Sequence, residues 1–166
     1  IVKNNTLGHC WFVKEVRMVE NADSEITALN NFNPAGTVII DKRYSAQLNN
    51  VQISADSSAV IKQVDYHPNH IKYESNASSP QVAVFSEIYY EPDWEVYVDG
   101  AKADYFRCNY VLRGMVIPAG KHAIEFKVNP KTYNQWETVS KASSIAIFAL
   151  LLGSIFMWYR QRKQAA

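Results

Sequence analysis

Cysteine is scarce in this sequence. Of 166 residues only Cys10 and Cys108 are cysteine, and neither stands in a C-x-x-C or beside a histidine cluster. Structural zinc needs several such ligands at short spacing, so the pattern speaks against a metal site. One disulfide or two free thiols fit the count, and two buried free thiols are the expectation. Charge of one sign is lacking as well. Lys and Arg total 17 against 16 Asp and Glu, a net charge of +1. No basic patch invites nucleic acid. There is no internal repeat, no low-complexity tract and no L-P-x-T-G sorting motif. The chain opens Ile-Val-Lys, without Met or a cationic leader, and reads as a fragment or a processed product.

What is present begins at the other end. No charged residue occurs from Ala142 to Tyr159, a run of about 18 residues. That is the lower limit for a membrane-spanning helix, and counting from Val139 with Lys141 snorkelling gives a comfortable span. Trp136 precedes the run, while Trp158 and Tyr159 close it, the aromatic pattern of both interfaces. A soluble helix of this length would carry a polar stripe, but Ser154 is the one polar side chain from Ile145 to Trp158. Arg160, Arg162 and Lys163 follow at once. The positive-inside rule places them in the cytoplasm and the preceding domain outside. Lys131 and Lys141 weaken that asymmetry without reversing it. A basic end also argues against a GPI signal.

The rest of the chain reads as β structure. Aromatics are 13%, with ten Tyr and four Trp, and they favour strands as well as sugar-binding surfaces and membrane interfaces. "GHCWFVKEVRMV" predicts one strand or a bent pair. "NADSEITALNNFNP" predicts a short helix capped at Asn21 or Asp23, with Ile26 and Leu29 on one face and Pro34 ending it. Thr37–Ile40 predicts a buried strand. Val60–Tyr66 and His70–Ser75 predict strands about an "HPN" turn. "QVAVFSEIYY" predicts a strand apolar on both faces. "WEVYVDGAKADYF" predicts a hairpin about Asp99-Gly100, with Trp94, Val96 and Val98 on one face and Glu95, Tyr97 and Asp99 on the other. "YVLRGMVIPAGKHAIEFKV" predicts a second hairpin, with Pro118 in its turn and Gly120 left-handed. Short strands at regular spacing predict a mainly β fold, an antiparallel β-sandwich of jelly-roll type with a short N-terminal helix, plus one C-terminal transmembrane helix. The expected division is a β domain over 1–130, a linker over 131–138, the membrane helix over 139–159 and a basic tail over 160–166.

Several residues bear chemistry. Tyr89, Tyr90, Trp94, Tyr97, Tyr105 and Tyr110 gather about the hairpins, where an exposed row would stack on sugar rings. The competing reading is core and cross-strand packing. Arg107 and Arg113 would hold a phosphate or carboxylate bidentately, or pair with local acids. Glu87, Glu91, Asp93, Glu95 and Asp99 form an acidic neighbourhood. Two of them facing across a cleft would suit glycoside hydrolysis, whereas charges on outward strand faces are simply solvated. His67 and His70 flank a turn and read as solvated rather than as a metal pair. His9 and His122 read as structural.

"VFSEIYYEPDWEVYVDG" and "YFRCNYVLRGMVIPAGKHAIEFKVNPKTY" closely resemble the C-terminal part of YfhO-type bacterial membrane proteins, and "NTLGHCWFV" and "NADSEITALNNFNP" resemble the stretch before it. The wording is similar to homologues from the Bacteroides group. The resemblance covers most of the chain. It implies many membrane helices ahead of the sandwich and a likeness to GT-C glycosyltransferases, which move sugars from lipid-linked donors outside the cytoplasmic membrane. Their catalytic carboxylate sits in an early loop that has no counterpart here, so no catalytic residue is carried over. Pro92-Asp93-Trp94 stands where family members often have Pro-Gly-Trp. The N-x-S/T matches at Asn4 and Asn76 carry no weight in a bacterial protein.

The expected function is an accessory extracytoplasmic domain of a glycosyltransferase-like inner-membrane protein, positioning a glycan or lipid-linked sugar through Tyr89, Tyr90, Trp94, Tyr97, Arg107 and Arg113. The alternative is a non-catalytic module that packs on the membrane core of the same polytopic chain or on a partner. An independent hydrolase comes third. No cofactor, metal or nucleic acid is expected. Glycan binding predicts the aromatics exposed in a groove; a packing module predicts them buried or on one flat apolar patch.

Overall fold

The computed structural model describes residues 6–48 and 56–164. They form two units, one ending at Asn129 and one starting at Pro130, and each is described by itself.

In the first unit, strands β1 (Cys10–Val13), β6 (Gln81–Ile88), β9 (Phe106–Cys108) and β10 (Leu112–Ile117) make a four-stranded sheet in the order β1-β6-β10-β9. Strands β4 (Val60–His67), β5 (His70–Ala77), β7 (Trp94–Val98), β8 (Ala101–Ala103) and β11 (Gly120–Val128) make a five-stranded sheet in the order β4-β5-β11-β7-β8. Every pairing within the two sheets is antiparallel. Between them lies the main core. Ala83, Phe85, Met115 and Ile117 face Ile71, Tyr73, Val96, Ile124 and Phe126, all buried. The rings meet edge to face, with Tyr73 and Phe85 centroids 4.7 Å apart and Phe85 and Phe126 5.1 Å apart. Each such side chain contributes about 1.5–3 kcal/mol by leaving water.

The strand read as apolar on both faces needs two cores, and β6 has them. Val82 and Val84 leave the sandwich interior and join Val13, Phe106 and Cys108 in a second cluster with Val38 and Ile40. The last two belong to β3 (Thr37–Asp41), which pairs in parallel with β2 (Glu15–Val19). This small third layer also holds helices α1 (Ala22–Ala28) and α2 (Ser45–Leu48). Close approach here requires a glycine. A Cβ on Gly114 would lie 2.5 Å from a Phe106 ring carbon and 3.1 Å from the Cys108 sulfur. The bent pair expected over Gly8–Val19 is β1 and β2, divided between two sheets.

Two expectations are corrected. First, β10 and β11 are not a hairpin. The Pro118–Ala119 corner hands the chain from one sheet to the other, so each strand pairs elsewhere. Gly120 is left-handed as read, at φ 122°, and the chain bends at Ala119. A turn signal between two alternating strands does not say whether they lie side by side or face to face. Second, the Ile26 face is not the one on which helix α1 packs most tightly: Ile26 is 48% exposed, whereas Glu25 is buried completely. A specific ion pair described below outweighs the apolar side chain. Residues 131–138, the expected linker, are helical and form the first turns of helix α3 (Lys131–Gln164). Pro130 just ahead suits a helix start, and Glu137 pairs with Lys141 one turn on at 2.8 Å.

Within α3, residues Gln135–Trp158 are long and apolar enough to cross a membrane, and their side chains are exposed in this unit. The serines do not spoil that span. Ser143, Ser144 and Ser154 turn their hydroxyls back onto carbonyls of their own helix at 2.9, 2.9 and 2.7 Å. The other predicted strands are present with small differences at their ends, whereas β9 and α2 were not read from the sequence. Asn21 caps α1 through the Ser24 amide at 2.9 Å. Asp99 and Gly100 are both left-handed, with φ 51° and 82°, as their two-residue turn requires. Asp93 keeps an ordinary backbone, so Asp in place of Gly is unstrained there.

Candidate functional site

The residues singled out from sequence divide into three places. Tyr89, Trp94, Tyr105 and Arg113 come together at one end of the sandwich, where β6 stops and β7 begins. Odd-numbered residues of β10 face the main core, so Arg113, two before Met115, enters its end. It is 3% exposed. The guanidinium lies 4.2 Å from the centre of the Trp94 ring and 5.1 Å from that of Phe126. Nε donates to the Ile88 carbonyl at 2.9 Å, and Nη1 has no hydrogen-bond partner among the described residues. Burial lowers the Arg113 pKa from its usual range. The aromatic faces supply part of what water would have given the cation.

Tyr105 completes the wall. Its ring packs 5.6 Å from Phe126 and 5.2 Å from Tyr89, and its hydroxyl donates to the carbonyls of Tyr90 and Trp94 at 3.1 and 3.2 Å. Burial raises its pKa to about 12. Tyr89 is half-buried, edge-on to Tyr44 at 6.0 Å, with its hydroxyl on Glu91 at 3.2 Å, and burial raises its pKa too. Trp94 packs against the main core. Tyr90 is the exposed ring of this group, at 53%.

Arg107 goes elsewhere. The β9–β10 register sets it directly opposite Arg113, and two cations so placed repel. Each is drawn to its own surroundings. Arg107 Nη2 bonds the fully buried Glu25 carboxylate at 2.7 Å, stands 4.0 Å from Asp41, and lies 5.3 Å from the Tyr110 ring centre. The second Glu25 oxygen accepts from the Tyr110 amide at 2.8 Å. Asn109 and Tyr110 are both left-handed, φ 46° and 70°, and this turns that amide. Asn109 also accepts from the Ile39 amide at 2.9 Å. This cluster joins α1, β3 and β9. Glu25 and Asn109 were missed from the sequence, which holds no signal for an ion pair 82 residues apart.

Tyr97 takes a third place, facing away from the core between the main-core residues Val96 and Val98. Its hydroxyl donates to Glu95 at 2.8 Å, which raises its pKa, and Lys127 stands 5.2 Å from its ring centre.

The acidic neighbourhood is divided among separate partners. Glu91 holds Tyr89, Glu95 holds Tyr97 and Lys102, and Asp99 accepts from His122 at 2.6 Å and from the Ala123 amide. The His122 bond keeps the Asp99 carboxyl below its usual range, the reverse of a catalytic acid. His67 lies 3.5 Å from Asp65 and His70 lies 2.7 Å from Glu125, so each has its own carboxylate. No cluster of three His, Cys, Asp or Glu suited to a metal occurs among the described residues. Cys10 and Cys108 are free thiols on opposite faces of the four-stranded sheet, one against each core. Burial pushes the Cys10 pKa up to about 11 and raises that of Cys108. Asn4 lies outside the described residues.

A family model described as Bacterial membrane protein YfhO matches residues 41–140. That stretch starts at the end of β3, takes in β4 to β11 and ends in the first turns of α3. No curated protein and no solved structure matches the chain.

Proposed function

The chain belongs to the YfhO family of bacterial membrane proteins, and from that premise we propose that its β domain is a non-catalytic, extracytoplasmic accessory module of a polytopic inner-membrane protein, held at the membrane by α3. The observation that carries this reading is the use made of the aromatic and arginine side chains. Tyr89, Trp94 and Tyr105 are packed on one another and on the core, and Arg113 is enclosed by Trp94 and Phe126. Side chains spent on packing build a rigid module. The orientation is supported by the basic residues after the span, and by Glu137, which neutralises Lys141 on the other flank.

A second reading, the positioning of a glycan or lipid-linked sugar for a glycosyltransferase-like core, is favoured by Tyr90 and Arg113. Tyr90 offers an open ring two residues past Ile88, whose carbonyl accepts from Arg113, a buried cation with one N–H unpartnered among the described residues. The test is glycan-array binding by the whole chain in detergent, with Tyr90→Ala as control. Tyr90 is the better probe because its side chain is exposed, whereas loss of Trp94 would also disturb the core. No binding by either form is the result expected of a packing module. Binding lost in Tyr90→Ala would overturn that reading in favour of the second.

A further inference from the structure

The two ends of the sandwich differ in what they present. At one end stand the His67–His70 turn, the Tyr89–Asp93 corner, the Asn109–Val111 turn and the finish of β11. Backbone bonds tie these loops together: the Val128 amide to Asn69 at 2.9 Å, the Asn129 amide to Asp93 at 2.6 Å, and the Tyr89 amide to Val111 at 2.8 Å. This end carries Ile88 at 71% exposure, Tyr66 at 56%, Tyr90 at 53% and Val111 at 47%. The opposite end is made of Ser78–Pro80, Asp99–Gly100 and Pro118–Lys121, small or polar residues. Val60 is the large exposed apolar side chain there among the described residues.

We propose that the Tyr66, Ile88, Tyr90 and Val111 end of the β domain rests on the lipid surface, with its tyrosines at headgroup depth. Covalent connectivity and surface chemistry both favour this contact. β11 finishes at this end, and the apolar span begins at Gln135. The six residues from Asn129 to Gln135 reach at most about 20 Å even if fully extended. This end therefore stays near the bilayer by connectivity alone, and the opposite end does not. Exposed tyrosines beside aliphatic side chains suit the interface, where a ring is half in hydrocarbon and its hydroxyl is wet. Glu91 and Asp93 lie in the same corner, so attraction to anionic lipid does not drive the contact. It should form on zwitterionic membranes and persist in salt.

The inference rests on α3 crossing the membrane and not on the glycan reading. The test uses the whole chain in phosphatidylcholine vesicles, with an environment-sensitive fluorophore on Ile88→Cys or Tyr90→Cys, and on Lys121→Cys at the opposite end. Unsubstituted chain treated alongside corrects for the native thiols. Retention in the membrane after an alkaline carbonate wash reports insertion separately from surface contact. The expected result is a blue-shifted emission at 88 and 90, quenched at least about twofold more by headgroup-labelled lipid than at 121, and unchanged in 1 M salt. Equal, iodide-accessible signals at all three positions would overturn the proposal. So would probes at 88 and 90 shielded from both iodide and lipid quencher, because a protein surface would then be the occupant. Ile88 and Tyr90 are open enough that substitution leaves the core intact, and an unchanged melting temperature checks this.

Discussion

Arg107 and Arg113 stand opposite each other on neighbouring strands, yet replacing each by Met should have very different consequences. Arg107 neutralises a carboxylate that is fully buried, with 2.7 Å between Nη2 and Oε2 of Glu25. Arg107→Met leaves the buried Glu25 carboxylate with the Tyr110 amide as its remaining side-chain partner among the described residues. Breaking one side of such a buried pair costs about 3–5 kcal/mol. Arg113 makes no ion pair among the described residues; the Glu87 carboxylate acts on it only as a nearby charge. Arg113→Met forfeits the bond to the Ile88 carbonyl and two cation–ring contacts, together about 2–4 kcal/mol. It regains several kcal/mol of desolvation and keeps the apolar stem volume. The net change should fall within about 1 kcal/mol of zero. In a domain of this size 1 kcal/mol moves Tm by about 4 °C. Near-ultraviolet circular dichroism of the chain in micelles should thus show Arg107→Met melting some 12–20 °C lower and Arg113→Met within about 4 °C of the parent. Adding Glu25→Leu to Arg107→Met should recover most of the loss. Equal destabilisation by the two substitutions would refute the reasoning, since it would mean that Arg113 is held by a charge of its own.

Gly114→Ala should cost about 1–3 kcal/mol, because the new methyl meets the buried Phe106 ring and Cys108 sulfur. A Gly114→Ala, Phe106→Leu double variant should melt higher than the sum of the singles, and additive losses would sink the packing argument. His122 has Nδ1 2.6 Å from Asp99 and Nε2 3.1 Å from the Ala119 carbonyl, two acceptors that ask for protons on both nitrogens. Its pKa is raised, first by the Asp99 bond, above the ordinary 6.5. A raised folded pKa contributes stability that is complete below the unfolded value and is lost as pH climbs through the folded one. The melting difference between parent and His122→Gln should therefore be larger at pH 5.5 than at pH 9, and a gap that widens towards pH 9 would contradict this. Asp56 accepts from the amides and hydroxyls of both Ser58 and Ser78, and these bonds hold its carboxyl below the usual range. Asp56→Ala should speed amide exchange at Ser58 and Ser78 and leave the Ile71 and Phe126 amides unchanged; uniform acceleration would count against a local clamp.

Local chemistry made the strands legible, and long-range choices did not. Asp99-Gly100 declares its turn because few other pairs tolerate two positive φ angles. The apolar centre of β6 declares burial on both faces because no other arrangement shelters Val82 and Val84 as well as Ala83 and Phe85. Pro118-Ala119-Gly120 declares a reversal, but the same reversal serves a hairpin or a passage between sheets. The difference lies in which strands β10 and β11 find, residues far away in sequence. Ile26 and Glu25 make the same point for the helix. Spacing sets Ile26 with Leu29 on one face, but a partner at Arg107 selects Glu25 for burial.

The candidate site shows where that limit matters most. In the sequence Arg107 and Arg113 look alike: both stand in short β segments, three residues to either side of Tyr110. Register even pairs them. What separates them is the side of the edge strand on which a carboxylate waits. Arg107 finds Glu25 and Asp41, and its charge is absorbed into the join between α1, β3 and β9. Among the described residues Arg113 touches rings and a carbonyl, with Glu87 acting on it as a nearby charge and not as a bonded partner, and it lies at the end of the core, beneath the corner that carries Ile88 and Tyr90. A buried cation without a bonded counter-ion is costly to keep for stability alone. If Arg113→Met is neutral or stabilising, as worked out above, the selective reason for arginine must lie in what that corner meets. Comparing the lipid contact of the Tyr90 probe in parent and Arg113→Met chains then asks whether the charge serves the membrane-facing corner. An unchanged contact would leave Arg113 to the glycan reading, where the array experiment tests it directly.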